Sequence, residues 1–305
     1  HSQADRQPLT PYRMATYKYL KPEDIKRLAN YEFGAKAMVE GYLAGRHRSK
    51  QRGSSIEFHE FRQYTQGDDL SQIDWRVFAR NDKLFLRTFE QETNLECHVL
   101  LDCSASMEFA GDKSALNKLE YASFFAACLA WLVISKNDRV SLTLFDEGIR
   151  RFLAPGSTRR HLNDILTTLE ANRAGSGTSI TETLRRAHPL LRRRGTLVLL
   201  SDFFCDPAEL FSALNPYLHR GFRVHLFHLL DPSEMDLGNR GLSRFIDMES
   251  GDRLTVHPQS LREAWKGHLQ SHIRALRTLA SSRGADYALA PTSETYFTLL
   301  DRLRD

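Results

Sequence analysis

The sequence lacks the short motifs that mark several common enzyme classes. It contains no phosphate-binding GxxxxGK[ST] loop, no GxSxG nucleophile turn and no HExxH zinc helix. It has few cysteines, and they form neither a CxxC pair nor a zinc-ligand spacing. The four are Cys97, Cys103, Cys128 and Cys205. We therefore expect free and mostly buried thiols in a reducing compartment, and no P-loop, serine-hydrolase or zinc-peptidase chemistry.

Long hydrophobic runs are also absent. The longest unbroken apolar run, 124–134, has 11 residues, whereas a helix needs about 20 to cross a bilayer. This run predicts a buried core helix and not a membrane span. The start of the sequence shows no signal-peptide pattern, so the expected location is cytoplasmic.

Charge of one sign does not dominate the sequence. The formal net charge is +4 and the pI is near 8.9, which by itself does not indicate nucleic acid. The densest basic run contains no aromatic residue that could stack on a base. It consists of Arg46, His47, Arg48, Lys50 and Arg52. We favour a solvated helix end for this run, with nucleic-acid binding as an alternative.

The pattern of the chain changes twice and predicts three segments. Residues 1–21 are polar and without a period, which is typical of a poorly ordered lead-in. Residues 22–94 predict a small N-terminal module with a helix and a few strands. From 95 to 305, short apolar runs alternate with helical patterns, which predicts an α/β fold with a doubly wound, mostly parallel sheet. The predicted strands are CHVLLD, RVSLTLFD, GTLVLLSD and FRVHLFHLLD. The predicted helices lie near 115–135, 161–172, 179–193, 207–219, 260–282 and 294–304, with a β-hairpin over 243–257.

Hydroxyl and carboxylate side chains follow two of the predicted strands. Ligands of open α/β sheets bind beyond the carboxyl ends of the strands, where the strand order reverses. The first strand ends in Asp102, followed by Ser104 and Ser106, and the third ends in Ser201 and Asp202. Such oxygen ligands, without His or Cys, suit Mg²⁺, with Mn²⁺ or Ca²⁺ as alternatives, and disfavour zinc.

The flexible loop 175–179 presents further hydroxyls before a helix. Together with Thr178 and Asp202, the pattern Asp102-x-Ser104-x-Ser106 resembles the metal-ion-dependent adhesion site of von Willebrand factor A domains. This resemblance implies that the three hydroxyls are ligands, that the two aspartates bind directly or through water, and that a partner supplies the remaining ligand.

Two alternatives for these residues remain open at this point. Asp102 and Ser104 could simply cap the helix that follows them. In the loop, one of three neighbours could serve instead of Thr178, namely Ser176, Ser179 or Thr181. The buried histidines of the fourth strand, His225 and His228, are interpreted as core residues and not as metal ligands.

A second resemblance rests on residues of the small module. They are Glu57, Phe58, Phe61, Arg62, Tyr64, Gly67, Asp68, Asp69, Ile73, Asp74, Trp75, Arg76, Ala79 and Arg80. The stretch resembles the signature of the bacterial family catalogued as domain of unknown function 58. Members are often encoded beside MoxR-type AAA+ ATPases, which implies an adaptor or chaperone-like role. From the residues alone, we interpret the charged members of the signature as an ion-pair network that joins the small module to the large one, with a partner-binding surface as the alternative.

The sequence therefore predicts a metal-dependent protein–protein interaction module, with a partner that offers an acidic residue, and no enzymatic activity. A MoxR-type ATPase or its client is the partner that the family resemblance implies, and no small-molecule substrate is expected. The alternatives are a metal-dependent phosphohydrolase with Asp102 as nucleophile and a nucleic-acid-binding protein.

Overall fold

A computed structural model describes residues 17–29, 56–63, 85–91, 96–112, 114–237, 243–246, 253–256 and 258–303. By its internal contacts the chain divides into two units. The smaller unit spans 43–94, and its described part is a pair of antiparallel strands, β1 (Ile56–Gln63) and β2 (Phe85–Gln91). The larger unit comprises 1–42 and 95–305.

The larger unit is built on a six-stranded sheet in the order β10-β7-β6-β3-β4-β5. All neighbours are parallel except β4 and β5. The strands are β3 (Glu96–Asp102), β4 (Arg139–Phe145), β5 (Ile149–Gly156), β6 (Gly195–Ser201), β7 (Arg223–Leu230) and β10 (Asp286–Pro291). The predicted α/β class and doubly wound, mostly parallel sheet are confirmed.

Helices cover both faces of this sheet. They are α1 (Pro22–Ala29), α2 (Lys118–Ser135), α3 (Arg159–Ala171), α4 (Ile180–Ala187), α5 (Pro207–His219), the single turn α6 (Pro232–Met235), α7 (Pro258–Arg283) and α8 (Phe297–Arg302). Along β3, Val99 and Leu101 pack into the core formed with α2, whereas Leu100 packs into the core formed with α4 and α5. This alternation follows from the two-residue period of a strand buried on both faces.

Helix α2 is apolar on all sides, and the structure buries nearly all of it. Among the described residues it is the single helix long and apolar enough to cross a membrane by length and composition, yet 83% of it is buried inside the protein. The buried core helix predicted from the apolar run is therefore confirmed. A helix without a polar face is stable in water only when other elements surround it.

The start of the chain differs from the predicted segments. The sequence predicts α1 as part of the small module, but the helix packs on the larger unit, where Leu28 is 1% exposed. Tyr19 and Leu20, placed in the poorly ordered lead-in, are buried in the same core. Apolar side chains that find a neighbouring core gain about 1.5–3 kcal/mol each from burial. This gain outweighs the polar character of the surrounding residues.

The predicted hairpin is present as β8 (Ser243–Ile246) paired with β9 (Arg253–Val256). In contrast, the two edge strands β5 and β10 were not predicted. Half or more of their residues are only partly buried or exposed, so they lack the continuous apolar runs that revealed the interior strands.

Candidate functional site

The five predicted site residues lie at the carboxyl end of the sheet, around the boundary between β3 and β6. Strand β3 leads through α2 to β4 on one side, whereas β6 lies on its other side, so the strand order reverses here. Asp102 ends β3, Asp202 directly follows β6, and Thr178 precedes α4. This is the edge at which doubly wound sheets form ligand sites.

Asp102 is fully buried, and both of its carboxylate oxygens accept hydrogen bonds. The backbone N–H of Ser104 donates to Oδ1 at 2.9 Å. The hydroxyls of Ser201 and Thr178 donate to Oδ2 at 2.6 and 3.3 Å. These bonds fix the orientation of the carboxylate without neutralising its charge.

Ser104 and Ser106 turn their hydroxyls towards each other, with 3.1 Å between the two Oγ atoms. The capping alternative is not supported, because Ser104 precedes a short 3₁₀ turn (Ala105–Glu108) without making a side-chain capping bond. The cap of α2 is Asn117, whose side chain accepts from the N–H of Glu120. The two serine hydroxyls are therefore free to act together with Asp102.

Backbone hydrogen bonds hold the 175–179 loop against the end of β3. The N–H of Gly175 donates to the carbonyl of Cys103 at 2.6 Å, and the N–H of Ala105 donates to the carbonyl of Ser176 at 2.9 Å. A Cβ at Gly175 would lie 2.2 Å from a carboxylate oxygen of Asp146, so that side chain packs directly against the glycine. The loop thus sits where a hydroxyl can reach Asp102.

The alternatives to Thr178 occupy other positions. The Ser176 hydroxyl donates to Glu147 at 3.0 Å, away from Asp102. Ser179 is the N-cap residue of α4 and makes no side-chain capping bond, and Thr181 lies within that helix. Among the described hydroxyls of this loop, Thr178 is the one that bonds to Asp102.

Asp202 belongs to a buried ion-pair cluster that the sequence did not reveal. Its Oδ2 accepts from Nζ of Lys118 at 2.8 Å, and both side chains are almost completely buried. The same ammonium lies 2.6 Å from Oε1 of Glu234 on α6. The second oxygen of Asp202, Oδ1, is buried and has no hydrogen-bond partner among the described residues.

Glu234 connects the cluster to Asp231, the residue between β7 and α6. Its Oε2 accepts from the N–H of Asp231, which completes a capping box at α6. Asp231 also accepts from the N–H of Gly111 at 3.0 Å, and Gly111 has no room for a Cβ beside Ser233. Several elements thus hold the carboxylate partner of Lys118 in place.

Burial and like charge shape the electrostatics of the site. Burial, reinforced by the charge of Asp202, raises the pKa of Asp102 to about 6. Burial opposes protonation of Lys118, but Asp202 and Glu234 outweigh it and raise its pKa above the ordinary value. Burial also raises the pKa of Glu234, against the influence of Lys118. The carboxylates in this region therefore lack full compensation by positive charge.

The donor set fits a hard divalent cation. The predicted residues offer carboxylate and hydroxyl oxygens, which suit Mg²⁺-type ions. The partnerless Oδ1 of Asp202 is a buried acceptor of the kind that a cation satisfies. Within the described part of the chain, there is no group of three or more His, Cys, Asp or Glu side chains arranged to hold a metal ion.

The residues missed by sequence reasoning are Ser201, Lys118 and Glu234. Ser201 was recognised as a strand end, but its bond to Asp102 depends on the pairing of β3 with β6. Lys118 carried a usable signal, since a lysine in the first turn of an otherwise apolar helix opposes the helix dipole. Glu234 lies far from the site in sequence, so no local pattern marked it.

Several predictions concern other residues. Cys97, Cys103 and Cys128 are buried free thiols, and Cys205 is a partly buried one. His225 and His228 are buried core residues, as predicted. The basic run at 46–52 and the signature after Gln63 lie outside the described residues.

Comparison with known proteins gives one family match. The model of the family described as "Protein of unknown function DUF58" matches residues 60–275. The chain is 29% identical over 237 residues to the uncharacterized protein Rv1480 of Mycobacterium tuberculosis, covering 75% of this chain and 72% of the relative.

Two solved structures illustrate the likeness in three dimensions. BatB from Bacteroides thetaiotaomicron matches with a TM-score of 0.48 and 16% identity, over 69% of this chain and 95% of that one. A protein titled von Willebrand factor type A from Catenulispora acidiphila matches with a TM-score of 0.40 and 12% identity, over 72% and 42%.

Proposed function

The chain belongs to the family described as protein of unknown function DUF58, and from this premise we propose that it is a metal-dependent protein-interaction module and not an enzyme. Its candidate centre comprises Asp102, Ser104, Ser106, Thr178 and Asp202, with Mg²⁺ as the proposed ion and Mn²⁺ or Ca²⁺ as alternatives. Bound there, such an ion would supply a positive centre with coordination positions for a carboxylate of another protein.

The observation that carries this proposal is the convergence of oxygen donors from three separated segments. The hydroxyls of Ser104 and Ser106 lie 3.1 Å apart, and Thr178 reaches the carboxylate of Asp102. Asp202 keeps one buried oxygen that bonds to no residue in the described part of the chain. Helix capping does not require such an arrangement. We propose that one cation binds between the hydroxyl cluster and this buried oxygen.

The same contacts argue against the phosphohydrolase alternative. A nucleophilic aspartate needs an oxygen that can approach a phosphorus atom. Both oxygens of Asp102 accept hydrogen bonds, and the residue has no exposed surface. These contacts favour an orienting role for Asp102, with the proposed ion bound directly or through water, over attack on a phosphorus atom.

An apolar side chain adjoins the candidate site and supports an interaction surface. Phe204, two residues after Asp202, is 42% exposed. The preceding Phe203 has a positive φ of 48°, and its carbonyl accepts from the His272 ring at 2.9 Å. Left-handed backbone at a bulky residue is strained. The strained turn presents Phe204 to solvent beside the acidic site, which suits a partner that pairs a carboxylate with an apolar group.

For the partner, we propose a MoxR-type AAA+ ATPase or one of its clients, because the family resemblance implies that association. The test is a binding assay between this chain and a purified MoxR-type ATPase, with Mg²⁺ or with a chelator. We expect binding only with Mg²⁺ and its loss in the Asp102→Ala, Ser104→Ala double variant.

The matched control is Ser176→Ala, since this serine shares the loop edge but bonds to Glu147. The control should bind like the wild type. Binding that is equal with metal and with chelator, or that survives in the double variant, would contradict the metal-dependent mechanism.

A further inference from the structure

Lys118 is placed where fold stability alone does not favour a lysine. It lies in the first turn of α2 and has no exposed surface. The positive end of the helix dipole faces the first turn, so a cation there is unfavourable. Removing an ammonium from water is costly as well, and replacing a buried ion pair with apolar side chains is often neutral or stabilising.

The contacts of Lys118 distinguish the two oxygens of Asp202. The ammonium lies 2.8 Å from Oδ2, whereas Oδ1 accepts no hydrogen bond from any residue that the structure describes. On its other side, the ammonium is held 2.6 Å from Glu234, which is fixed by its bond to the N–H of Asp231. Among the described residues, Lys118 therefore holds Asp202 through Oδ2, and the buried Oδ1 makes no hydrogen bond.

We propose that Lys118 is a positioning and charge-balancing residue of the candidate metal centre: it holds Asp202 with one oxygen free and prevents the loaded site from becoming net negative. The inference rests on the proposed function and extends it to the specificity for an acidic partner. Lys118 touches a proposed ligand and not the ion, so its role is indirect.

A count of formal charges gives this proposal its consequences. Without an ion, Asp202 and Glu234 pair with the ammonium of Lys118, and Asp102 lies close enough to feel the negative charge of Asp202. Three carboxylates therefore share one ammonium in this cluster, so the site attracts a cation. With a divalent ion the charges cancel, and an incoming carboxylate is not repelled. Without Lys118 the ion would bind more tightly, but the loaded site would be net negative and would repel the acidic ligand.

Changing Glu234 should have the opposite effect. Glu234→Gln removes one negative charge while keeping an oxygen that can accept from Asp231. The ion should then bind more weakly and the carboxylate ligand more tightly. A merely structural role for the cluster predicts instead that both substitutions weaken ion binding together.

The experiment uses the full chain with Mn²⁺ and acetate as probes. Electron paramagnetic resonance measures free Mn²⁺ and hence its affinity, and water-proton relaxation follows displacement of water from bound Mn²⁺ by acetate. Lys118→Met should raise the Mn²⁺ affinity and lower the acetate affinity, each by about tenfold, since a full charge acts within a few ångströms in a buried site. Glu234→Gln should shift both affinities in the reverse directions.

The control is Lys18→Met, which removes a lysine from an exposed ion pair with Glu120 and should change neither affinity. Shifts of the same sign in Lys118→Met and Glu234→Gln, or no shift in either, would overturn the role of Lys118 alone. If Lys118→Met does not fold, Glu234→Gln alone tests the proposal, which predicts weaker Mn²⁺ binding and stronger acetate binding. Mn²⁺ binding that is stronger than in the wild type, or unchanged, would overturn the charge-balancing role of Lys118. Absence of Mn²⁺ binding by the wild type would overturn the proposed function as well.

Discussion

Replacing Ser201 with alanine should destabilise the protein strongly, although only one oxygen atom is removed. The hydroxyl of Ser201 is buried and makes two hydrogen bonds. It donates to Oδ2 of Asp102 at 2.6 Å and accepts from the N–H of Phe203 at 3.0 Å. Ser201→Ala leaves Asp102 with one donor fewer and the N–H of Phe203 without its acceptor.

The expected loss follows from these two bonds. A hydrogen bond to a charged group contributes about 1.5–3 kcal/mol, and an unsatisfied buried N–H costs about 1–3 kcal/mol. Because partial relaxation recovers some of the sum, we expect the free energy of unfolding to fall by about 3 kcal/mol. For a unit of this size, that corresponds to a decrease in Tm of about 6–12 °C.

The assay is urea unfolding at neutral pH, with the buried Thr183→Val as a matched control. Within the described ranges, the Thr183 hydroxyl has no hydrogen-bond partner, so its removal should leave stability unchanged or raise it by about 1 kcal/mol. A loss below about 0.5 kcal/mol in Ser201→Ala, or equal losses in both variants, would refute the assigned bond network.

Two further predictions concern the sheet. Gly195→Ala should cost about 3 kcal/mol in thermal unfolding, because the new Cβ would lie 1.8 Å from the backbone oxygen of Glu96; a loss below about 1 kcal/mol would mean that β3 and β6 can separate. Burial lowers the pKa of His98 to about 4, so protonation of this imidazole favours the unfolded chain. The stability that the folded protein has with a neutral His98 is fully present above pH 6.5 and is lost as the pH falls from 6.5 to 4. Between pH 7 and pH 5, the stability of wild type should therefore fall by about 2 kcal/mol more than that of His98→Gln, whereas parallel pH profiles would contradict a neutral buried imidazole.

The interior of the fold was predictable because its strands are buried on both faces. The continuous apolar runs that end in Asp102 and Ser201 predicted β3 and β6 directly. In β5, the exposed residues Arg150 and Arg151 interrupt the apolar run. The strand is therefore recognisable only from its antiparallel pairing with β4. The strand propensity and the hydrophobic period of a sequence reflect how deeply its residues are buried. They give a weak signal for an edge strand, because such a strand is only partly buried.

The candidate site was predictable where its residues follow strands. Asp102 and Asp202 end or follow buried strands, and parallel pairing brings those ends together. Lys118 and Glu234 are 116 residues apart, and their contact depends on how α2 and α6 pack. The family prediction from the 57–80 signature is confirmed by the match over 60–275.

The central claim is tested most directly by isothermal titration of Mn²⁺ and Mg²⁺ into wild type and Asp102→Asn. The asparagine keeps the size of the side chain but removes its charge. We predict saturable binding of one ion per chain in the wild type and at least about tenfold weaker binding in the variant. No binding by the wild type, or equal affinities in the two proteins, would contradict a metal centre at Asp102.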